Sequence, residues 1–264
     1  MALECGIVGL PNVGKSTIFS ALTAAPAAAE NFPFCTIDPN IGIVDLPDER
    51  LDFLAGIHNP KKKTPASVKF VDIAGLIKGA SQGEGLGNQF LANIRECSVI
   101  SHVVRCFDNP DIMHVRDSAN EAAPIDPESD ILTINWELCQ ADLDTIAKRE
   151  EKNIKTVRAL GKDAEKQLAP WNSAVAKIKP LLTDGKCART ADLTDDEKLA
   201  VKDMFLLTMK PTLYVANVDE DSVECGTNKY VEVVKKYADE EKSEVVVICG
   251  KFEADLAEIT EEAD

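Results

Sequence analysis

A glycine-rich turn near the amino terminus constrains this chain more than any other feature. The residues GLPNVGKST, from Gly9 to Thr17, fit the pattern G-x-x-x-x-G-K-[ST] of a phosphate-binding loop, or P-loop. An apolar run precedes the turn and a helical pattern follows it, which is the strand-turn-helix setting that such a loop requires. We therefore predict an α/β fold, a P-loop G domain with a mostly parallel sheet, and a nucleotide at the carboxyl ends of its strands.

Each residue type in this turn suits a triphosphate. Two glycines let the main chain curl so that successive N–H groups point at phosphate oxygens, and the following helix adds the positive end of its dipole. Lys15 would contact the β and γ phosphates, and the Ser16 hydroxyl would bind Mg²⁺. The predicted nucleotide-binding residues of the turn are Asn12, Val13, Gly14, Lys15, Ser16 and Thr17.

Composition narrows the class of protein further. The 264 residues are 45% hydrophobic and carry a formal charge of −16, so we expect a globular protein without broad or sequence-specific nucleic-acid binding. The eight cysteines form no C-x-x-C pair, which favours reduced thiols in the cytoplasm over a zinc site or a disulfide framework. Since no apolar run is long enough to cross a bilayer, no membrane role is expected.

Two further segments predict loops that respond to the γ-phosphate. Thr36, in a stretch rich in proline and aromatic residues, could reach Mg²⁺, the alternative being a capping or turn threonine. An apolar strand from Val68 ends in Asp72 and is followed by Gly75, which matches the D-x-x-G element of switch nucleotidases. Asp72 would act on Mg²⁺ through water, and the Gly75 amide would contact the γ-phosphate.

The expected catalytic glutamine is missing. Leu76 follows Gly75, where Ras-like GTPases carry the glutamine that orients water, and an aliphatic side chain cannot do this. His114, in the loop after the strand Val99–Phe107, could instead swing toward the γ-phosphate, the alternative being an exposed loop histidine. We expect His102, which lies inside that strand, to be a packed or edge residue.

A helical segment interrupts the strand pattern. From about Asn135 to about Lys202, apolar residues recur at helical spacing among charged ones, and we expect Pro180 and the turn at 183–186 to break the path. The predicted division is a G domain at 1–134 and 205–264, with a helical, coiled-coil insertion at 135–204. This arm is interpreted as a partner surface or lever, or alternatively as a decoration that only stiffens the domain.

The predicted base site departs from that of GTPases. The residues Asn217-Val218-Asp219-Glu220 lie where a GTPase carries N-K-x-D, whose lysine lies on guanine and whose aspartate accepts its N–H groups. A valine and a longer glutamate remove that fit, whereas main-chain groups around Asn217 and Val218 could read adenine. Gly250 lies in the loop that would close over the base.

These motifs resemble those of one known family. GLPNVGKST, NFPFCTIDPN, FVDIAGLIKGAS with GEGLGN, VVRCF and NVDE are similar, in this order, to the YchF or Obg-like ATPase family. The resemblance implies a G domain with a coiled-coil arm, ATP preferred over GTP, slow Mg²⁺-dependent hydrolysis and association with ribosomes or the translation machinery. It also implies that a hydrophobic residue, here Leu76, replaces the glutamine while His114 serves in catalysis, and that Asn12 helps to bind K⁺.

One departure from that family concerns length. Its members usually continue into a small, mostly β TGS domain, whereas this sequence stops at Asp264 within a helical pattern. We therefore expect the TGS domain to be absent, through truncation or a shortened gene product. The sequence leaves open two other functions: a GTPase of the same fold, and a nucleotide-gated binding protein with negligible turnover, which Leu76 would favour.

Overall fold

A six-stranded sheet is the frame of the protein. The computed structural model describes residues 3–23, 40–73, 86–110, 112–113 and 124–262. Its strands are β1 (Leu3–Val8), β2 (Asn40–Asp45), β3 (Ser67–Asp72), β4 (Val99–Arg105), β5 (Thr212–Asn217) and β6 (Glu244–Ile248). They lie in the order β2-β3-β1-β4-β5-β6, with β2 antiparallel to β3 and the other neighbours parallel. The predicted α/β fold with a mostly parallel sheet is confirmed.

Local signals explain where the helices begin. The helices are α1 (Lys15–Thr23), α2 (Glu49–His58), α3 (Leu86–Glu96), α4 (Pro127–Leu160), α5 (Lys162–Gln167), α6 (Ala169–Thr183), α7 (Asp195–Val201), α8 (Glu220–Cys225), α9 (Lys229–Glu241) and α10 (Gly250–Glu262). Asp48, Asp126 and Asn228 precede α2, α4 and α9, and each side chain accepts a main-chain N–H of the first turn. Such caps satisfy donors that a helix cannot pair internally.

The central strand β4 is apolar and almost wholly buried, as expected of a strand covered on both faces. His102, in its middle, is 2% exposed, and its ring centroid lies 5.4 Å from that of Tyr214. Burial lowers the pKa of His102 to about 3, so the ring is neutral at physiological pH. The prediction of a packed histidine is confirmed.

The long helix α4 begins at Pro127, earlier than the helical pattern predicted from about Asn135. The Asp126 cap and a proline in the first turn, where its missing N–H costs nothing, account for this start. The first turns of α4 pack on the sheet, because Ile134 and Leu138 share the main core with residues of β1 and β4. The division of the chain at residue 134 stays a prediction.

A second apolar core lies within the helical segment. Its members include Ile146, Trp171, Ile178, Leu182 and Met204. The predicted break at Pro180 is wrong, because α6 continues through it to Thr183. Pro180 lacks the N–H for one helical hydrogen bond, but Ile178 and Leu182 on either side of it are buried in the second core, and this packing keeps the last turn helical. The predicted turn follows, with Gly185 in the left-handed region at a φ of 74°.

Buried polar contacts join the helical segment to the sheet. Arg189, which follows α6, forms an ion pair of 2.6 Å with Glu241 at the end of α9. The Tyr214 hydroxyl of β5 donates to the same carboxylate at 2.8 Å, and the Asn135 amide of α4 donates to the Tyr237 hydroxyl at 3.1 Å. Since breaking a buried ion pair leaves an uncompensated charge, these contacts hold the two parts in one arrangement.

The described residues also bear on the cysteine and membrane expectations. Seven of the eight cysteines lie among them, all as free thiols, and all but Cys225 are buried. Burial raises the pKa of Cys97 to about 11 and that of Cys106 to about 12, so both thiols stay protonated. No helix in the described part of the chain combines the length and apolar character needed to span a bilayer.

Candidate functional site

The turn between β1 and α1 passes so close to the neighbouring strands that only glycine fits at two positions. A Cβ on Gly9 would lie 2.5 Å from the Val103 carbonyl oxygen of β4. Gly14 has a φ of +98°, and a Cβ there would lie 2.3 Å from the Asn217 amide nitrogen of β5. Asn12 also adopts the left-handed region, at a φ of 60°. The turn is therefore held against the carboxyl ends of β4 and β5.

Lys15 is a buried cation at the start of α1. It is 7% exposed, and its Nζ donates to the Leu10 carbonyl oxygen at 2.8 Å. Burial lowers the pKa of Lys15 to about 8, although the nearby Asp72 carboxylate opposes this shift. A buried ammonium facing a main-chain carbonyl is under-compensated, so an anion beside it would stabilise its charge.

The next residue, Ser16, pairs with the end of β3. Its hydroxyl donates to Asp72 Oδ2 at 3.0 Å, and Asp72 Oδ1 is buried without a hydrogen-bond partner in the described structure. Burial raises the pKa of Asp72, an effect that Lys15 and Ser16 partly offset. A hydroxyl and a carboxylate with one orphaned oxygen are ligands that suit Mg²⁺, so the residues present fit this ion.

Asn217 ties three segments together at the end of β5. Its side chain donates to the Val13 carbonyl oxygen at 2.9 Å and accepts from the Gly250 amide at 2.9 Å. The Val218 N–H donates to the Ile248 carbonyl oxygen at 2.8 Å. This N–H is therefore already hydrogen-bonded to the end of β6. The structure thus brings the predicted residues Val13, Asn217 and Gly250 together, with Asn217 bracing the phosphate loop.

A cavity of about 470 Å³ opens beside this brace. Its lining comes from the phosphate turn, the loop after β4, the segment after β5 and the start of α10. The residues include Asn12, Gly14, Thr17, Phe107, Asn109, Ile112, Val218, Asp219, Glu220 and Lys251. Asp219 caps α8 by accepting the Ser222 N–H at 2.9 Å, and Glu220 forms an ion pair of 3.0 Å with Lys251. Both carboxylates of the Asn217–Glu220 motif are therefore engaged with other groups at the cavity wall.

Four predicted residues lie outside the described residues: Thr36, Gly75, Leu76 and His114. Across the described ranges, no group of three or more histidine, cysteine, aspartate or glutamate residues could by itself hold a metal ion. Arg105, the last residue of β4, has no predicted role, yet it is 1% exposed and donates to the Ile112 carbonyl oxygen in the cavity-lining loop. The sequence does carry one sign of this role, an arginine at the carboxyl end of an apolar strand. A buried arginine needs hydrogen-bond or charged partners, so its position predicts that it binds nearby groups.

Phosphate-binding turns of this kind, at the carboxyl edge of a mostly parallel sheet, belong to P-loop nucleoside triphosphatases, and this chain has that fold. The profile of the family described as 50S ribosome-binding GTPase matches residues 4–136. Within this class, the chain belongs to the YchF family.

The similarity to that family extends along nearly the whole chain. The ribosome-binding ATPase YchF of Haemophilus ducreyi is 51% identical over 262 residues, which cover 99% of this chain and 69% of that protein. The Bacillus subtilis protein of the same name is 48% identical, over 98% of this chain and 68% of its own length. A solved structure, the YchF GTPase of Schizosaccharomyces pombe, is 36% identical and superposes with a TM-score of 0.77, over 99% of this chain and 69% of the other.

Proposed function

We propose that this protein is a nucleotide-dependent switch that binds ATP and hydrolyses it slowly with Mg²⁺. The observation that carries the proposal is the buried set at the head of α1, where Lys15 is under-compensated and Ser16 contacts Asp72. Enzymes of the P-loop class generally use Mg²⁺, which neutralises charge on the β and γ phosphates. In this chain Ser16 and Thr36, from the segment before β2, would bind that ion directly, and Asp72 would act on it through water.

ATP is favoured over GTP by the cavity wall. Guanine needs a carboxylate that accepts its N1–H and its exocyclic amine, and a GTPase supplies it from the fourth motif position. Here that position is Glu220, already paired with Lys251, while Asp219 caps α8. A buried N–H left without an acceptor costs roughly 1–3 kcal/mol, so guanine loses its discriminating contact. Adenine does not need this carboxylate.

GTP is the second candidate, for two reasons. The solved relative from Schizosaccharomyces pombe is described as a GTPase. In addition, Asp108 and Asp221 join Asp219 and Glu220 at the cavity, and an acidic wall suits a base rich in N–H donors. The two candidates differ in one measurable ratio, the affinity for ATP against that for GTP.

Hydrolysis would proceed without a water-orienting glutamine, since Leu76 takes that position. We propose that His114 orients the attacking water, while Lys15 and the Gly75 amide stabilise charge on the γ-phosphate. Loss of that phosphate would release the loops of Thr36 and Gly75, which is how the nucleotide state would be signalled. Asn12 is the proposed K⁺ contact, and equal hydrolysis rates in K⁺ and Na⁺ buffers would contradict that role.

The partner we propose is the ribosome or another component of the translation machinery, in the cytoplasm. Support comes from the relatives named ribosome-binding ATPases, which this chain matches over nearly its full length. The segment from α4 to α7 is the proposed arm that carries the nucleotide state to that partner. Arg189 and Asn135 connect it to Glu241 and Tyr237 of α9, and Glu241 also accepts the hydroxyl of Tyr214 in β5, so the arm is linked to the sheet that would hold the nucleotide.

One set of titrations tests the proposal. Fluorescent ATP and GTP analogues are titrated with and without Mg²⁺, and single-turnover hydrolysis is then measured for the native protein and for His114→Ala. We expect Mg²⁺-dependent binding with ATP preferred and a slower rate for the variant. A clear GTP preference would favour the second candidate, and equal rates would remove His114 from the mechanism. The absence of Mg²⁺-assisted binding of either nucleotide would overturn the whole proposal.

A further inference from the structure

Arg105 ends β4 with a guanidinium that is buried inside a loop. Its Nε donates to the Phe107 carbonyl oxygen at 3.2 Å, Nη1 to that of Ile112 at 2.9 Å and Nη2 to that of Asn109 at 3.0 Å. The residue is only 1% exposed. One planar fork with five N–H donors thus gathers three carbonyls that span six positions of the chain.

The gathered loop is one wall of the cavity beside the phosphate turn. Phe107, Asn109 and Ile112 all line that cavity. The Phe107 ring also lies over the guanidinium, at 4.6 Å from its central carbon. Such stacking fixes the plane of an aromatic ring that a purine could contact. Arg105 therefore determines where three lining residues stand, although it does not line the cavity itself.

The same loop contacts the phosphate turn. The Asn12 side-chain amide donates to the Met113 carbonyl oxygen at 3.2 Å, directly after the Ile112 carbonyl that Arg105 holds. The loop start is anchored from the other side, because the Asn228 amide donates to the Cys106 carbonyl oxygen at 2.8 Å. The wall is thus braced at its beginning and again where it meets the P-loop.

Burying the charged guanidinium of Arg105 has an unfavourable desolvation free energy. Burial lowers the pKa of Arg105, opposed by the carboxylates of Asp108 and Asp130. A methionine or leucine could fill this space without the desolvation cost, but it would leave the three loop carbonyls without their donor. What an aliphatic side chain could not do is hold three carbonyls at fixed separations.

We propose that Arg105 is a positioning residue for base recognition: it sets the loop wall of the purine cavity and so contributes to nucleotide affinity without touching the nucleotide. The inference rests on the proposed function, since it takes this cavity as the place of the base. It predicts that loss of Arg105 weakens binding of the base and leaves binding of the triphosphate largely intact.

The test compares two ligands that share the phosphates and differ in the base. Affinities for ATP and for inorganic tripolyphosphate, both with Mg²⁺, are measured by calorimetry on the native chain, on Arg105→Met and on Arg149→Met. Arg149 pairs with Asp203 in the helical segment, so its variant matches the change in side chain and charge away from the cavity. We expect Arg105→Met to lose about tenfold in ATP affinity, with tripolyphosphate within about twofold and Arg149→Met unchanged for both.

Several outcomes would overturn the inference. If Arg105→Met bound ATP as the native chain does, or lost both ligands by the same factor, Arg105 would have no specific role toward the base. If Arg105→Met did not fold, Arg105→Lys, which keeps the charge but cannot span three carbonyls, should lose about threefold for ATP alone. A native chain that bound ATP no more tightly than tripolyphosphate would instead refute the base site itself, and the inference with it.

Discussion

The helical segment and the carboxyl edge of the sheet each contain a buried carboxylate, and the two differ in their hydrogen-bond partners. Glu197 of α7 accepts hydrogen bonds from Lys177, Ser173 and the Thr194 N–H, and these contacts lower its pKa to about 2. Asp72 of β3 is also buried, but its pKa is raised because burial outweighs Lys15 and Ser16. Glu197 has its hydrogen-bond partners in place, whereas Asp72 Oδ1 has no partner among the described residues.

This difference indicates that Glu197 has a structural role, whereas Asp72 can still bind a ligand. The partners of Glu197 lie within 24 positions of it, so the segment satisfies the carboxylate by itself. Asp72 and Ser16 lie 56 positions apart and meet only because β3 ends beside the phosphate turn. An under-compensated carboxylate at the end of a strand is a candidate for a ligand site, and the ligand expected here is a metal-bound phosphate. Four measurements test this difference between the helical segment and the sheet edge.

The largest effect is expected from Trp171→Ala in the core of the helical segment. Trp171 is 5% exposed, and truncating a buried tryptophan typically costs about 3–5 kcal/mol of unfolding free energy. Because its neighbours belong to the second core, ATP affinity should stay within about twofold of the native value when measured well below the unfolding transition. Urea unfolding and nucleotide titration test this. A parallel loss of ATP affinity in folded protein would show that the two regions act as one.

Lys15→Met should abolish tight nucleotide binding. Loss of a buried charge-assisted contact to phosphate is expected to lower ATP affinity on the order of 100-fold, or about 2.7 kcal/mol. The charged form binds phosphate and the pKa of Lys15 is about 8, so native affinity should also fall as the pH rises above 8. The variant should lack this pH dependence. An affinity that is flat between pH 7 and 9.5 in the native protein would contradict the assignment.

Because of His102, the free energy of unfolding is expected to decrease as the pH is lowered. Its pKa is about 3 in the folded state against 6.5 when unfolded, so between these values the unfolded chain binds one more proton. Stability is therefore complete above pH 6.5 and falls on acidification by about 1.4 kcal/mol per pH unit. His102→Gln should reduce the slope of unfolding free energy against pH by that amount, measured in urea between pH 4.5 and 6. An unchanged slope would show that the ring is not neutral when folded.

The smallest effect is expected from Lys179→Met on the helical segment. Lys179 pairs with Glu150 at 2.9 Å, and 48% of the lysine side chain is exposed. Since exposed ion pairs contribute about 0–1 kcal/mol, unfolding free energy should change by less than about 1 kcal/mol and ATP affinity should not change. Lys15→Met and Lys179→Met remove the same charge, one from a buried site and the other from an exposed ion pair. Comparing their ATP affinities shows whether the effect depends on the buried position of the lysine rather than on its charge alone. A larger loss of stability in thermal unfolding would argue against that view.

Much of the fold could be predicted from local patterns. The strand from Val68 that ends at Asp72 and the strand from Val99 agree with the structure, because an apolar run acts over a few residues. The start of α4 was misplaced although the signal was present, since the Asp126 cap and Pro127 stand before the helical periodicity begins. The break predicted at Pro180 does not occur, because the burial of Leu182 beyond it is a tertiary contact that no local pattern shows.

The residue pattern is enough to predict the phosphate turn, the strand that ends at Asp72 and the side chains expected to contact a triphosphate and Mg²⁺. The contacts that those side chains make with the rest of the chain are visible only in the fold. Asn217 reaches Val13 across 204 positions, and Arg105 holds the carbonyls of the loop after β4, a role that its place in VVRCF does not reveal. The reason is physical: a phosphate turn is encoded by the backbone freedom of adjacent residues, whereas a brace between strand ends exists only once the sheet has brought distant residues together.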